Sequence, residues 1–150
     1  MWQTLIDKLV SILEANTLIG EVFSFEVEEF KNDPTCTVTP SENSSDYNTT
    51  EENVRIYAFN VRLFVNRTVL VSGKDTKYEA DRKMRNLVDS VMDDFDKQYY
   101  LSGIVNPTGY TFINLFATPS MWGYAGRESE FRFCEIKLQC RVSVDLNAIS

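Results

Sequence analysis

Near the end of the chain, residues 131–146 read FRFCEIKLQCRVSVDL. From Cys134 onward, apolar side chains alternate strictly with polar ones, so the apolar side chains share one face of an extended strand. This alternation is typical of an antiparallel sheet that has one face in water. We therefore predict a strand over Phe131–Leu146 and expect it to be the longest strand of a mostly antiparallel sheet.

A helix that would cover this strand precedes it in the chain. Thr76 and Glu79 have the spacing of a capping box, in which a hydroxyl and a carboxylate satisfy free amides of the first helical turn. An apolar stripe with helical spacing follows, formed by Met84, Leu87, Val88, Val91, Met92 and Phe95. The sequence predicts that this central amphipathic helix packs on one face of the sheet.

The remaining elements are an N-terminal helix, further strands and two loops. Apolar residues at three- and four-residue spacing predict a helix over Trp2–Glu14. Alternating or β-branched runs predict strands over Val22–Phe30, Thr35–Thr39, Val54–Val65 and Tyr110–Ala117. A long polar loop is predicted over 40–53, and we expect it either to be disordered or to become ordered when a partner binds. A second loop is predicted over Pro119–Ser129.

Length and composition indicate one domain over residues 1–150, and the predicted elements make it an α+β domain with a mostly antiparallel sheet, an N-terminal helix and a central helix on one face. The chain has 150 residues, 43% of them hydrophobic, which is enough to bury a core. We recognise no membrane span and no signal peptide, so we expect a reducing cytoplasm. Cys134 and Cys140 would lie about 20 Å apart on one strand, too far for a disulfide.

The net charge of the chain is −7, from 15 basic and 22 acidic residues. This charge argues against binding to the outside of a DNA duplex, because neutralised phosphates supply most of such affinity. We therefore predict no sequence-specific nucleic-acid binding. A negatively charged surface would, however, allow DNA to slide past it.

The sequence gives no sign of enzyme chemistry. It contains no His, which removes the usual general base and most transition-metal sites. Glu26 with Glu28, and Asp89 with Asp93, could in principle bind a hard cation, and a solvated face is the simpler interpretation. We therefore predict no catalytic residue, no metal site and no cofactor.

The charge order of the central helix is one candidate for a protein interface. Cations crowd its start and acids its end, which opposes the preference of the helix dipole; the residues concerned are Arg82, Lys83 and Arg85, then Asp93, Asp94 and Asp96. Pairs such as Arg85 with Asp89 would relieve a small cost within the chain. Alternatively, each end of the helix faces opposite charges on a neighbouring subunit.

Large apolar residues in the two predicted loops are further candidates. Met121, Trp122 and Tyr124 lie in a stretch punctuated by glycines, and Tyr47 is almost the only apolar residue of the polar loop. Trp122 either packs back over the edge of the sheet or anchors an interface, a position in which Trp and Tyr are enriched.

The order of these elements resembles the tail terminator (tail completion) proteins of long-tailed bacteriophages. The segments that carry the resemblance are Trp2–Leu13, Val54–Val65, Tyr78–Asp93 and the closing strand Glu135–Leu146. It implies a hexameric ring that caps the head-proximal end of the tail tube, ends tube polymerisation and joins the tail to the neck or head.

The resemblance also implies the partners and the location of the chain. These are further copies of itself, the tail tube protein and a neck or head connector protein, in the virion and, during assembly, in the host cytoplasm. DNA would pass through the ring, and no membrane is involved. The alternatives are another neck or tail ring component, such as a head completion or tube protein, or a small-molecule binding module with a pocket between the central helix and the sheet.

Overall fold

The structure is a computed structural model that describes residues 1–47, 52–69 and 76–148. Its helices and strands, in chain order, are α1 (Trp2–Glu14), β1 (Glu21–Phe23), β2 (Thr35–Tyr47), β3 (Glu52–Asn66), α2 (Thr76–Lys97), β4 (Tyr110–Ala125) and β5 (Phe131–Asp145). The strands form one sheet in the order β1-β2-β3-β5-β4, in which only the β1–β2 pair is parallel. This confirms the prediction of an α+β fold with a mostly antiparallel sheet.

Both helices pack on the same face of the sheet. Alternate residues of β3 and β5 point toward them, and on β5 these include Ile136 and Leu138, neither of which is exposed to water. Leu9 of α1 and Val91 of α2 are equally buried and belong to the same hydrophobic core. The apolar stripes therefore meet as their periods predict. We refer to this side as the helix face of the sheet, and to the opposite side as the outer face.

The predicted strand over Val22–Phe30 is wrong beyond Phe23. The chain leaves the sheet there, and Phe25 is 59% exposed although the alternation predicted that it would be half-buried. The segment instead crosses the outer face, where the Phe30 ring lies 4.6 Å from the Phe64 ring and 4.9 Å from the Phe131 ring. The segment therefore covers part of an existing sheet through Phe30 and does not extend it.

The same crossing segment buries part of the outer face. The Glu26 carboxylate pairs with Arg62 at 3.0 Å, and Arg62 also pairs with Glu135 at 3.4 Å. Glu135 is consequently only 6% exposed, whereas the strand alternation predicted that it would lie in water.

The predicted loop over 40–53 is largely wrong. Residues 40–47 belong to β2, which pairs with β3 as far as the Tyr47–Asn53 pair, with a bulge between Pro40 and Asn43. A polar sequence can form this strand because β3 supplies its backbone partners and because residues 41–45 are exposed to water. Residues 48–51 lie outside the described residues.

The predicted loop over Pro119–Ser129 is also wrong. β4 continues through Pro119 to Ala125, with a register shift just after the proline. A proline is tolerated there because β4 is an edge strand, where its missing N–H removes no ladder bond. With sixteen residues β4 is one residue longer than β5, so the closing strand is not the longest.

The other strands and both helices were correctly predicted. Thr35–Thr39 lies within β2 and Val54–Val65 lies within β3, while α1 has the predicted bounds and α2 begins at Thr76. Within the described ranges, no helix combines the length and the apolar character needed to cross a membrane.

Candidate protein interface

β4 is a long edge strand without a charged residue. It pairs with β5 on one side, and no other strand of the described residues lies on its free side. Proteins usually protect such edges with charged side chains, prolines or bulges. β4 has Pro119 and two register shifts, but Tyr110–Ala125 contains no Asp, Glu, Lys or Arg. Its free edge is therefore only partly protected against pairing with another chain.

The side chains of β4 expose apolar surface on both faces of the sheet. The exposed fractions are 38% for Ile113, 54% for Phe116, 52% for Met121, 42% for Trp122 and 40% for Tyr124. The register with β5 places Phe116 and Met121 on the outer face, and Trp122 and Tyr124 on the helix face. The apolar surface thus wraps around the free edge, and we call these five residues the β4 patch.

Arg132 of β5 holds the aromatic part of the β4 patch in place. Its guanidinium carbon lies 4.9 Å from the centre of the Tyr124 ring and 5.6 Å from that of Trp122, within the range of cation–π attraction. The guanidinium also donates to the Asp81 carboxylate at 2.7 Å and to the carbonyl oxygen of Gly123 at 2.9 Å. Two aromatic rings that are already positioned lose little conformational freedom when a partner binds.

The two ends of the sheet differ in charge. At one end Tyr124 lies near two further cations, with Arg67 at 5.7 Å and Lys77 at 5.9 Å from its ring centre. At the opposite end β2 and β3 meet at the Tyr47–Asn53 pair, and the described residues there, 40–47 and 52–53, include Glu42, Asp46 and Glu52 and no base. Cations therefore surround Tyr124 at one end of the sheet, whereas the paired ends of β2 and β3 carry acids at the other.

The cations at the start of α2 have partners within the chain. Arg82 pairs with Glu79 at 3.5 Å, Lys83 with Asp33 at 3.0 Å and Arg85 with Asp81 at 3.2 Å. The sequence suggested a pair between Arg85 and Asp89. Arg85 instead pairs with Asp81, one turn earlier in the helix. The cations at the start of α2 are therefore compensated by acids inside the chain. A role of these residues at a subunit interface stays a prediction.

The acids at the end of α2 fall into two groups. Asp94 accepts a hydrogen bond from the Asn16 amide at 2.7 Å, and Asn16 also donates to Ser90 at 3.0 Å, so Asp94 joins the end of α1 to α2. Asp93 and Asp96 are exposed, and neither bonds to another side chain in the described part of the chain. Of these three acids, Asp93 and Asp96 therefore remain open to a partner.

The structure brings together only some of the residues predicted from the sequence. Met121, Trp122 and Tyr124 lie together on β4, and the start of α2 is joined to them through the contact between Asp81 and Arg132. Tyr47 is the last residue of β2, and its side chain lies outside the described residues, so its role stays a prediction.

Sequence reasoning missed Ile113, Phe116 and Arg132. The first two were assigned to a strand without regard to its place in the sheet, and an edge position cannot be seen from one strand alone. The absence of charge from Tyr110 to Ala125 is visible in the sequence and would have indicated a strand that another strand or a partner covers.

The cysteines are buried within the core. Burial raises the pKa of the Cys134 thiol to about 11 and that of Cys140 to about 12, and it also raises the pKa of Cys36. Thiols with such values stay protonated at neutral pH and are poor nucleophiles. No group of three or more acidic or cysteine side chains in the described ranges is arranged to hold a metal ion.

A surface groove of about 300 Å³ lies between the ends of the two helices. Its lining is mixed, with the charged Lys8, Asp94 and Lys97, the polar Ser11 and Gln98 and the apolar Ile12 and Ala15. The small-molecule interpretation placed a pocket between α2 and the sheet, but apolar core residues such as Leu87 and Val91 fill that position.

No protein-family model matches the chain, and no curated protein matches it. The geometry of the β4 patch and the resemblance in element order are therefore the grounds for a functional proposal.

Proposed function

We propose that this chain is a structural assembly protein that forms a ring with further copies of itself. In this proposal the ring, of about six subunits, caps the head-proximal end of a phage tail tube, ends tube polymerisation and joins the tail to the neck or head. The observation that carries the proposal is the free edge of β4, which lacks charge and exposes the β4 patch.

An uncovered edge of this kind favours association with another chain. Its unpaired N–H and C=O groups can bond to a further strand, and its apolar side chains lose contact with water when they are covered. Large aromatic residues such as Trp122 and Tyr124 are enriched among the residues that dominate interface energies. A protein that keeps such an edge in water risks aggregation, so an assembled state is the natural use of it.

A ring follows when a surface on one subunit meets a different surface on the next. Such a contact repeats around a closed circle, and every copy then uses the same two surfaces. The number of subunits, and the tail tube end as the surface that the ring binds, are taken from the resemblance to tail terminator proteins. The mechanism is geometric, since a finished ring offers the tube no surface for further growth.

The first test measures the number of subunits. Native mass spectrometry and sedimentation are run at low and high salt, with and without the tail tube protein of the same virion. We expect a closed species of about six subunits, and we expect tubes to stop growing when the chain is added. A fixed monomer in all of these conditions, with tube growth unchanged, would contradict the proposal.

A pair of double variants locates the interface. Phe116→Lys with Met121→Lys adds charge to the free edge of β4, and we expect it to abolish rings while the Tm of the monomer changes little. Arg82→Glu with Arg85→Glu alters the start of α2 and serves as the comparison. Loss of rings in the second variant alone would place the interface at the helix ends, as the charge order of α2 first indicated.

A further inference from the structure

We propose that β4 of one copy pairs with β2 of the next copy, so that neighbouring subunits continue one sheet around the ring. This inference rests on the proposed function, because it names the surface that β4 meets. It concerns the second free edge of the sheet, which lies on the opposite side of the molecule.

β2 is also incompletely paired. On its outer side it pairs with β1 only over Thr35–Thr37, and the residues from Val38 to Tyr47 have no strand of the described chain on that side. β2 and β4 are therefore the two edges of the sheet over most of their lengths. One subunit thus offers two different free edges, as a head-to-tail ring requires.

The two free stretches span the same levels of the sheet. We call two residues level when they lie in the same row of paired residues across the sheet. Through the pairs of β2 with β3, β3 with β5 and β5 with β4, Val38 is level with Pro119, and Tyr47 is level with Tyr110. The unpaired part of β2 therefore matches the part of β4 that precedes its proline. Two copies placed side by side in the same orientation would bring these stretches together without a shift along the strands.

The strand directions also agree. Neighbouring strands are antiparallel from β2 through β3 and β5 to β4, so β2 and β4 run in opposite directions. The β2 strand of a neighbour in the same orientation would thus lie antiparallel to β4. Antiparallel neighbours form straight backbone hydrogen bonds at a spacing of about 5 Å.

The side chains at these edges are complementary in charge. β2 carries Glu42 and Asp46 and no base between Pro40 and Tyr47. β4 itself is uncharged, and the neighbouring β5 places Lys137 beside Thr118 and Arg141 beside Asn114 on the outer face. A second copy would therefore bring the exposed Glu42 toward these two cations, which favours β2 over a second β4 as the occupant.

Engineered disulfides test this register. Thr39 and Thr118 are level and lie on the outer face, so in the proposed ring their Cα atoms would be about 5 Å apart, within disulfide range. Under conditions in which native mass shows rings, we expect mild oxidation of the variant Thr39→Cys with Thr118→Cys to link neighbouring subunits by disulfides. The linked species should form a series from the dimer up to the number of subunits in the ring. The native thiols are buried and do not interfere.

A matched variant controls for chance collisions. Thr39→Cys with Thr111→Cys places the second thiol on the same strand, but six levels away from Thr39, which is roughly 20 Å at 3.3 Å per residue. We expect at least a tenfold lower yield of linked subunits from this variant. Equal yields would overturn the proposed register.

The remaining outcomes separate the two proposals. Rings without a link between positions 39 and 118 would overturn the pairing of β4 with β2 and leave the assembly role intact. Linked dimers of the single variant Thr118→Cys would show β4 paired with a second β4, and would likewise overturn it. If no rings form in any condition, the proposed function fails first and this pairing with it.

Discussion

Arg132 shows how one side chain can join the core to the β4 patch. It lies on the helix face of β5, its side chain is only 13% exposed, and it touches both α2 and the aromatic rings of β4. A buried cation is stable only when carboxylates, carbonyls or ring faces replace the water that it loses. Asp81 and the carbonyl of Gly123 do so here.

Replacing this arginine should destabilise the fold measurably. We expect Arg132→Met to lower the free energy of unfolding by about 1–3 kcal/mol, because hydrogen bonds to charged groups are lost. Arg82→Met, at a side chain that is 62% exposed, should change it by less than about 1 kcal/mol. Urea unfolding of both variants provides the comparison, and equal losses would show that the Arg132 cluster is no stronger than a surface pair.

The buried cysteines predict both slow labelling and a pH effect. Since burial raises the pKa of Cys134 to about 11 and that of Cys140 to about 12, we expect iodoacetamide at pH 8 to modify them only after unfolding. The unfolded thiols lose protons near pH 9 but the folded ones do not, so stability is retained below pH 9 and falls as the pH rises toward 12. Rapid labelling of the native chain at pH 8 would contradict this.

At the scale of whole elements, the contact between α2 and β5 is the central packing interaction. Leu138 is fully buried beneath the helices, and its neighbour Gln139 points to water on the outer face. We expect Leu138→Ala to cost about 2–5 kcal/mol through lost burial and a residual cavity. Gln139→Ala should cost less than about half a kcal/mol. Thermal or urea unfolding that ranks the two variants the other way would mean that the opposite face of β5 is buried.

The elements that could be predicted from the sequence are those with a strong internal period. One face is buried along the length of α1, α2, β3 and β5. The spacing of their apolar residues therefore indicates both the type of element and the face that is buried. The polar half of β2 and the far half of β4 form because neighbouring strands offer them hydrogen bonds, and that information lies outside their own residues. The candidate site was predicted only in part for the same reason. The sequence indicated Trp122 and Tyr124 as interface candidates but placed them in a loop and not in a strand.

At the scale of the whole molecule, net charge should control assembly. Each copy carries −7, so subunits repel one another at low ionic strength. At ~1 M salt the Debye length falls to about 3 Å, and apolar and backbone contacts at the β4 edge then act with little opposition. We expect the ring fraction seen by sedimentation to rise between 0.05 and ~1 M salt. A fraction that falls with salt would indicate that ion pairs dominate the interface.

α2 carries its cations where its backbone dipole is already positive and its acids where that dipole is negative. The start of the helix lies near Tyr124, whose ring is close to Lys77. The chain just after the end of the helix lies near Leu115, whose backbone amide donates to the carbonyl oxygen of Tyr99. The side-chain charges of α2 thus add to the dipole of its own backbone, with the positive pole at the start of the helix. In a ring of parallel subunits these dipoles would sum along the axis, giving one positive rim and one negative rim. The two bodies that meet such a ring would then be distinguished by the sign of their charge, and a ring inserted upside down would be repelled from both.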